Sequence, residues 1–438
     1  MYIHRINEKQ IFKSFESQYI TALLGARQIG KTTLVSEYKN QHANYNWAIL
    51  NMDSLDQRSS INAGQLRDII ENYVHKKIGG NEKIWVIIDE AQKCPNLFDQ
   101  IKILYDEYKH TDKIKFILTG SGHLSLHKFS AETLAGRIQL LNLREFNLSE
   151  NVLLKKQIKL PTESIFKTIY QNASEKHFKH YISEIAPFRL LLANALQEQL
   201  IWGGLPDVLK KTNESDRIEY IRDYLQTYLE KDIRAIKTIS DLELYRNLMD
   251  IVAEQTGSVR NDDNIKHALG CARDTLNKYR GYLSATLMYQ EIYPYIGSTL
   301  KRIVKSPKGY LFDNGLISYL TGINDLNILK KTGQIGHRLE NWFLKELKVS
   351  LDREIKRNKI YYWRTTSGVE VDFIVEIKPE IFPFEVTFST QVDKKKLRNL
   401  KTFLRDEPKA KTGYYIYMGD YHYDKKENIC FLPSWAIC

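Results

Sequence analysis

Cysteine is scarce in this chain: four in 438 residues, at Cys94, Cys271, Cys430 and Cys438. Their spacing is not that of a metal site, and they are too few to staple a chain of this length, so free thiols are expected. Long apolar runs are lacking too. No segment is long and apolar enough to cross a bilayer, and the opening residues MYIHRINEKQIFKSF hold no apolar stretch of signal-peptide length. A soluble, cytoplasmic protein with no membrane partner is the expectation. Acidic residues fall short of basic ones, 53 against 64, which leaves a net charge of +11. That excess suits a polyanionic partner such as DNA. A second reading is the sequence's general richness in Ile, Asn and Tyr, with which lysine would rise by composition alone. A 43% hydrophobic, 27% charged composition excludes a disordered chain, and 438 residues call for several domains.

What is present begins with Tyr19 to Thr33, YITALLGARQIGKTT. A mainly apolar run breaks at Gly25, passes through Ala26, Arg27, Gln28 and Ile29, and closes on Gly30, Lys31, Thr32 and Thr33 before helical text. This is Gly-x-x-x-x-Gly-Lys-Thr between a strand and a helix, the context that lets backbone N–H groups cradle phosphates. Side chains at the two glycines would block that approach. Lys31 would supply charge to the β/γ-phosphates of ATP, and the Thr32 hydroxyl a ligand to Mg²⁺.

Further strands are expected at Trp47 to Met52, Ile84 to Asp89, Lys115 to Leu118 and Ile138 to Leu143, with a helix from about Gln65 to Lys77. The continuous apolar run ending in Asp89 and Glu90 reads as a strand buried on both faces of a parallel sheet, with its acids at the ligand-binding end. Asp89 is then the Mg²⁺-side carboxylate and Glu90 the base that polarises the attacking water. Thr119 and Ser121 are candidates to sense the γ-phosphate, and Arg137 a candidate to stabilise transition-state charge, in cis or across a subunit interface.

GARQIGKTT, WVIIDEAQK, ILTGSG, LAGR and REFNLSE together resemble the prokaryotic AAA-type P-loop ATPases that carry a C-terminal restriction-endonuclease-like domain of unknown function. The resemblance continues through IWGGLPDVL, YLFDNGLISYL, GHRLENWFLKEL and YYWRTTSGVEVDFIV. It implies an α/β fold: a parallel-sheet P-loop core of the ASCE, AAA-like type over 1–150, and a helical lid over 151–238. A winged helix over 239–305 and an endonuclease-like α/β domain over 306–438 complete the expected order.

The lid text is amphipathic, as in Phe188, Leu191, Leu192, Ala195, Leu196 and Leu200, and Trp202-Gly203-Gly204-Leu205-Pro206 reads as a hinge or packing corner. Asp262 to Leu269, a turn at Gly270 and Arg273 to Ser284 make helix-turn-helix text, with a wing to follow. Arg273, Asn277, Lys278 and Arg280, with Lys301 and Arg302 on the wing, are the candidate DNA contacts. The same fold also serves as a protein-contact module.

In the last domain Glu340 lies on a periodic helix, Asp372 inside an apolar strand and Glu385 on the next strand. They resemble the PD-(D/E)xK nuclease set, a candidate second metal site, except that Thr387 stands where that set has lysine. Lys378, or one of Lys394 to Lys396, is the candidate replacement, and a degenerate nuclease fold used for binding is the preferred reading. The function expected is Mg²⁺-dependent ATP hydrolysis coupled to domain rearrangement on DNA. The alternatives are an ATP-gated nuclease and a slow signalling switch that works through a protein partner or self-association.

Overall fold

The computed structural model describes residues 2–121, 133–160, 164–234, 239, 241–296, 306–353 and 357–438. The chain forms two compact units, one of Met1–Arg144 with Ala285–Leu287, the other of Glu145–Ser284 with Met288–Cys438. Among the described residues no helix is long and apolar enough to cross a membrane.

The first unit is built on a five-stranded sheet in the order β2-β3-β4-β1-β5. Its strands are β1 (Ile20–Leu24), β2 (Asn46–Asn51), β3 (Ile84–Asp89), β4 (Ile114–Gly120) and β5 (Ile138–Asn142). Every pairing is parallel, so all the strands end at one edge of the sheet. Each of Ile84, Trp85, Val86, Ile87 and Ile88 is buried, as the unbroken apolar run requires of a strand covered on both faces. Helices pack against it through residues such as Phe98, Ile101 and Leu104 of Leu97–Tyr108. The sequence pattern places one helix from Gln65 to Lys77; the chain makes two, Leu55–Asn62 and Leu66–Val74. The Ser54 hydroxyl starts the first by accepting from the Gln57 N–H at 3.4 Å.

The second unit begins as helices, among them Leu148–Lys156, Arg189–Trp202 and Glu214–Thr227. Buried Leu192, Ala195, Leu196 and Leu200 mark the inner face of Arg189–Trp202. Helices Asp262–Leu269 and Arg273–Ala285 follow.

An eight-stranded sheet, ordered β12-β13-β11-β10-β9-β8-β6-β7, closes the unit. Its strands are β6 (Tyr289–Pro294), β7 (Lys308–Leu311), β8 (Asn358–Arg364), β9 (Glu370–Ile377), β10 (Glu380–Val386), β11 (Gly413–Tyr417), β12 (His422–Asp424) and β13 (Ile429–Pro433). Strands β6 and β7 pair with each other antiparallel, and β6 joins β8 in parallel at Tyr293↔Tyr361 and Pro294↔Tyr362. The pair that follows the helix-turn-helix text is therefore one end of the last domain's sheet. Helix Ile335–Leu351 packs Leu339, Phe343 and Leu347 with Phe373, Val375, Phe382 and Phe384. A separate cluster joins Leu400 and Phe403 of helix Lys394–Asp406 to Ile374 and Ile381.

Candidate active site

Phosphate chemistry at the first sheet depends on what its carboxyl edge presents. Strand β1 ends at Leu24, and the loop Gly25 to Gly30 leads directly into helix Lys31–Gln41. Gly30 has φ +94°, a left-handed conformation that glycine adopts without strain, and an added Cβ there would meet nothing nearer than 3.9 Å. Gly25 is constrained differently. A Cβ there would lie 2.3 Å from both the Leu143 carbonyl oxygen and Ile29 Cδ1. The first glycine is thus demanded by its close approach to the neighbouring backbone, whereas the sequence argument assigned it to clearance for phosphate.

Lys31 is buried, and its Nζ donates to the carbonyls of Gly25 at 2.9 Å and Ala26 at 2.8 Å. An ammonium is thereby held inside the loop. Helix Lys31–Gln41 carries no acidic residue in its first turn and no side-chain cap, so its N-terminal dipole keeps its positive sign. Thr32 is exposed, and its hydroxyl donates to Asp89 Oδ2 at 3.0 Å. The end of β3 is thus brought to the start of the helix.

The other oxygen of Asp89, Oδ1, accepts from the hydroxyl of buried Thr119 at the end of β4. Glu90 takes a left-handed backbone, φ +54°, uncommon outside glycine. Its carboxylate accepts from Gln92 Nε2 at 2.6 Å and from the Ser121 hydroxyl at 3.2 Å, and Lys93 Nζ lies 4.0 Å away. Lys31, Thr32, Asp89, Glu90, Thr119 and Ser121, all named from the sequence, are therefore gathered at one edge.

Two participants have no sequence signal. Gln92 bridges Glu90 and Ser121, reaching the latter at 3.1 Å, and Arg5 donates to the Ile29 carbonyl at 2.9 Å, bracing the loop from outside. For Arg137 the geometry goes against the role in cis, one of the two expected for it. It precedes the first residue of β5, and its carbonyl accepts from Ile20, the first residue of β1. It therefore lies at the opposite edge, about 15 Å along a five-residue strand from the loop. There it makes a two-pronged ion pair with Asp106, at 2.7 and 2.9 Å, and it takes no part in the gathered group.

The oxygens of Thr32 and Asp89 form a hard donor set of the kind Mg²⁺ takes, and their direct hydrogen bond puts them within reach of one ion.

In the second unit Arg273, Asn277 and Lys278 are exposed on helix Arg273–Ala285. Arg280 is not available: it is buried, paired to Asp262 at 2.7 Å and Glu291 at 3.3 Å, and it donates to Asn277 Oδ1 at 2.7 Å. It holds the two helices and β6 together. Lys301 and Arg302 lie outside the described residues.

Glu340, Asp372 and Glu385 do come together, all buried, and Lys396 joins them, 2.8 Å from Asp372 Oδ2 and 3.5 Å from Glu385 Oε2. Of the lysines expected as candidates, Lys396 of helix Lys394–Asp406 is thus one that lies among these acids. Lys378 is exposed at the β9–β10 turn, about 20 Å of strand away from Asp372. A second lysine arrives without warning from the sequence: buried Lys308 of β7 lies 2.6 Å from Glu370, 3.6 Å from Glu340 and 3.8 Å from Asp372 Oδ1.

Burial and the Asp372 charge push Glu340 up to about 7 and Glu385 well above its ordinary value. Burial also acts on Asp372, but Lys396 and Lys308 outweigh it and hold that carboxyl well below the usual range. Two lysines thus stand beside Asp372, while burial and the Asp372 charge disfavour ionisation of Glu340 and Glu385. These residues do not fit a metal, because ammonium groups lie among the oxygens that would ligate it. Among the described residues no three His, Cys, Asp or Glu side chains form a metal-holding group.

Comparison with known proteins finds matches in three stretches of the chain. Residues 17–152 match a family model described as an AAA domain. That stretch is similar to AAA domains. Residues 193–327 and 335–437 match two further models, described as domains of unknown function DUF8612 and DUF4143. An uncharacterized Mycobacterium tuberculosis protein, Rv2008c, is 24% identical over 95% of this chain and 80% of its own length. An uncharacterized Methanocaldococcus jannaschii protein, MJ1544, is 21% identical over 81% and 72%. Among solved structures, the Thermotoga maritima RuvB Holliday junction branch migration motor has a TM-score of 0.31 and 14% identity, covering 66% of this chain and 89% of its own. The Aeropyrum pernix ORC1 protein in complex with DNA has a TM-score of 0.30 and 10% identity, covering 75% and 95%.

Proposed function

We propose that the P-loop domain binds ATP with Mg²⁺ and hydrolyses it, and that the cycle rearranges the following domains on DNA. The observation that carries this reading is the 3.0 Å hydrogen bond from Thr32 to Asp89, which sets a hydroxyl and a carboxylate beside a buried lysine at a helix start. Lys31 exchanges its two loop carbonyls for phosphate oxygens and holds the β/γ-phosphates against the loop's N–H groups. Thr32 and Asp89 hold Mg²⁺, which when bound neutralises charge on the phosphates. Glu90 orients the water and takes its proton, while Ser121 and Gln92 fix the direction of its carboxylate. Thr119 keeps Asp89 in place through the oxygen that Thr32 leaves unused.

Lys31→Ala is expected to lose binding of a fluorescent ATP analogue. Glu90→Gln should keep that binding while turnover falls by about 10²–10⁴-fold, the size of a general-base contribution. Turnover at the parental rate in Glu90→Gln would remove Glu90 from the mechanism.

Coupling to DNA is supported by the net charge of +11 and by exposed Arg273 and Lys278 on the second helix of a helix-turn-helix. In this reading 239–305 is a winged helix, Arg273, Asn277 and Lys278 face the duplex, and 151–238 is the lid. Duplex DNA should then raise ATP turnover. If Lys278 contacts phosphate, Lys278→Ala lowers the slope of log affinity against log salt by about 1. An unchanged slope would take Lys278 off the interface.

A further inference from the structure

Asp372 is shared between two ammonium groups, one on each oxygen. Lys396 takes Oδ2 at 2.8 Å, where the Val386 N–H also donates at 2.9 Å, and Lys308 approaches Oδ1 at 3.8 Å. Lys396 also donates to the Val386 carbonyl at 2.7 Å, which fixes its position over the strand. Lys308 reaches three carboxylates from two elements: Glu340 of helix Ile335–Leu351, and Glu370 and Asp372 of β9. Convergent oxygens from a helix and a strand are what a divalent cation requires, and here a side chain of this chain stands among them. Its own surroundings are closed, since Lys308 is 3% exposed and Glu340, Asp372 and Glu385 are 7%, 5% and 1%. A metal entering this group would have to displace a buried ammonium or strip it of its carboxylates, and an uncompensated buried charge is strongly disfavoured.

We propose that Lys308 occupies the place of a divalent cation, so that the Glu340–Asp372–Glu385 cluster is a metal-independent ionic core and the domain around it does not hydrolyse nucleic acid. The position of the substitute has a consequence. Lys308 is the first residue of β7, so the core ties the strand pair β6–β7 to helix Ile335–Leu351 and to β9. A metal would join only the helix and the two strands that bear the acids; the lysine joins a further strand as well. The cluster's role is to fix the strand pair on the sheet, and binding by this part of the chain takes place on a surface held rigid by it. The inference is independent of the nucleotide site and holds whether or not ATP is turned over.

The test is a Mn²⁺ titration of the full chain without nucleotide, read by electron paramagnetic resonance of the free ion. Wild type should show no Mn²⁺ binding that Asp372→Asn removes. Lys308→Met vacates the position and should gain one bound Mn²⁺ with affinity raised about tenfold or more over wild type, lost again in Lys308→Met with Asp372→Asn. Binding in the wild-type chain that Asp372→Asn abolishes would overturn the proposal, as would a folded Lys308→Met that gains nothing. Should Lys308→Met not fold, the wild-type melting temperature decides. Equal values in EDTA and in Mn²⁺ are expected, and a Mn²⁺-dependent rise that disappears in Asp372→Asn would overturn it.

Discussion

Asp89 has two oxygens and gives one to each neighbouring element: Oδ2 to Thr32 of the loop helix, Oδ1 to Thr119 of β4. That division predicts a separation of effects. Thr119→Val removes only the hydroxyl that orients Asp89, so ATP turnover should fall by about tenfold while binding of the nucleotide analogue is retained. Equal losses of both would mean that Thr119 supports the loop as a whole. Arg137→Ala should leave turnover unchanged, since the residue sits at the other edge of the sheet. Its ion pair with partly exposed Asp106 is screened by solvent and adds little to stability. A large loss of turnover in Arg137→Ala would show that it acts on another copy of the chain. Lys31, Thr32, Asp89 and Glu90 were legible because a phosphate loop and a strand end are local patterns in which spacing and chemistry coincide. The place of Arg137 was not legible, because an arginine beside a strand does not say which end of the sheet it stands at. Arg5 and Gln92 were invisible for a related reason: each acts on backbone or side chains that spacing alone does not bring near.

Among elements, the corner between helices Arg189–Trp202 and Pro206–Lys210 shows what a motif can be for. The GG of IWGGLP and the DNG of YLFDNGL lie about a hundred residues apart and meet. Asp313 accepts from the Gly204 N–H at 2.6 Å and the Gly315 N–H at 2.8 Å, and a Cβ on Gly203 would fall 1.9 Å from its Oδ1. Asp313 is buried, and burial raises its pKa against the pull of those N–H groups and of Lys345. Asp313→Ala leaves buried N–H groups unpaired and is expected to cost about 2–4 kcal/mol, measured by denaturant unfolding. Gly203→Ala, strained at φ +70° and colliding with the carboxylate, should cost as much or more. A ΔΔG below about 0.5 kcal/mol in both would remove the corner from the stabilising features. The sequence showed a turn at the glycines but not the acid that closes it. It likewise offered several lysines near Thr387 without choosing Lys396, because that choice is made by how helix Lys394–Asp406 lies across β9 and β10. Beyond Leu404 the sequence reading identifies no elements, yet β11, β12 and β13 complete the sheet there; the aromatic and aliphatic residues of β11 and β13 lack a clean alternation because both faces of these two strands are covered.

For the molecule as a whole, buried acids set the response to pH. Burial, with Glu150 nearby, pushes Glu346 up to about 7 against the opposing pull of Lys345 and the Leu148 N–H, and Glu340 is raised to about 7 as well. An unfolded chain releases these protons near the ordinary carboxyl value of 4.5, whereas the folded chain keeps them until about 7. Raising the pH across that interval therefore favours the unfolded state. The melting temperature of the second unit should fall between pH 5 and pH 7.5, and Glu346→Gln, which keeps an acceptor for the Leu148 N–H, should flatten part of the fall. A melting temperature that rises over the same interval would contradict the assignment.

The eight-stranded sheet also sets where this protein can be cut. Strands β6 and β7 come from before residue 312, while all the strands they join come from after it. A gene fragment opening at Phe312 would encode all of the matched region 335–437 but none of the helices Ile165–Tyr170, Glu175–Ile185 and Arg189–Trp202, whose Phe166, Phe178 and Leu196 share the sheet's core, and it would deliver β8 with a bare edge of unpaired N–H and C=O groups. Such a fragment should come out of cells as inclusion bodies, while one begun at Glu145, where the second unit starts, would remain in solution.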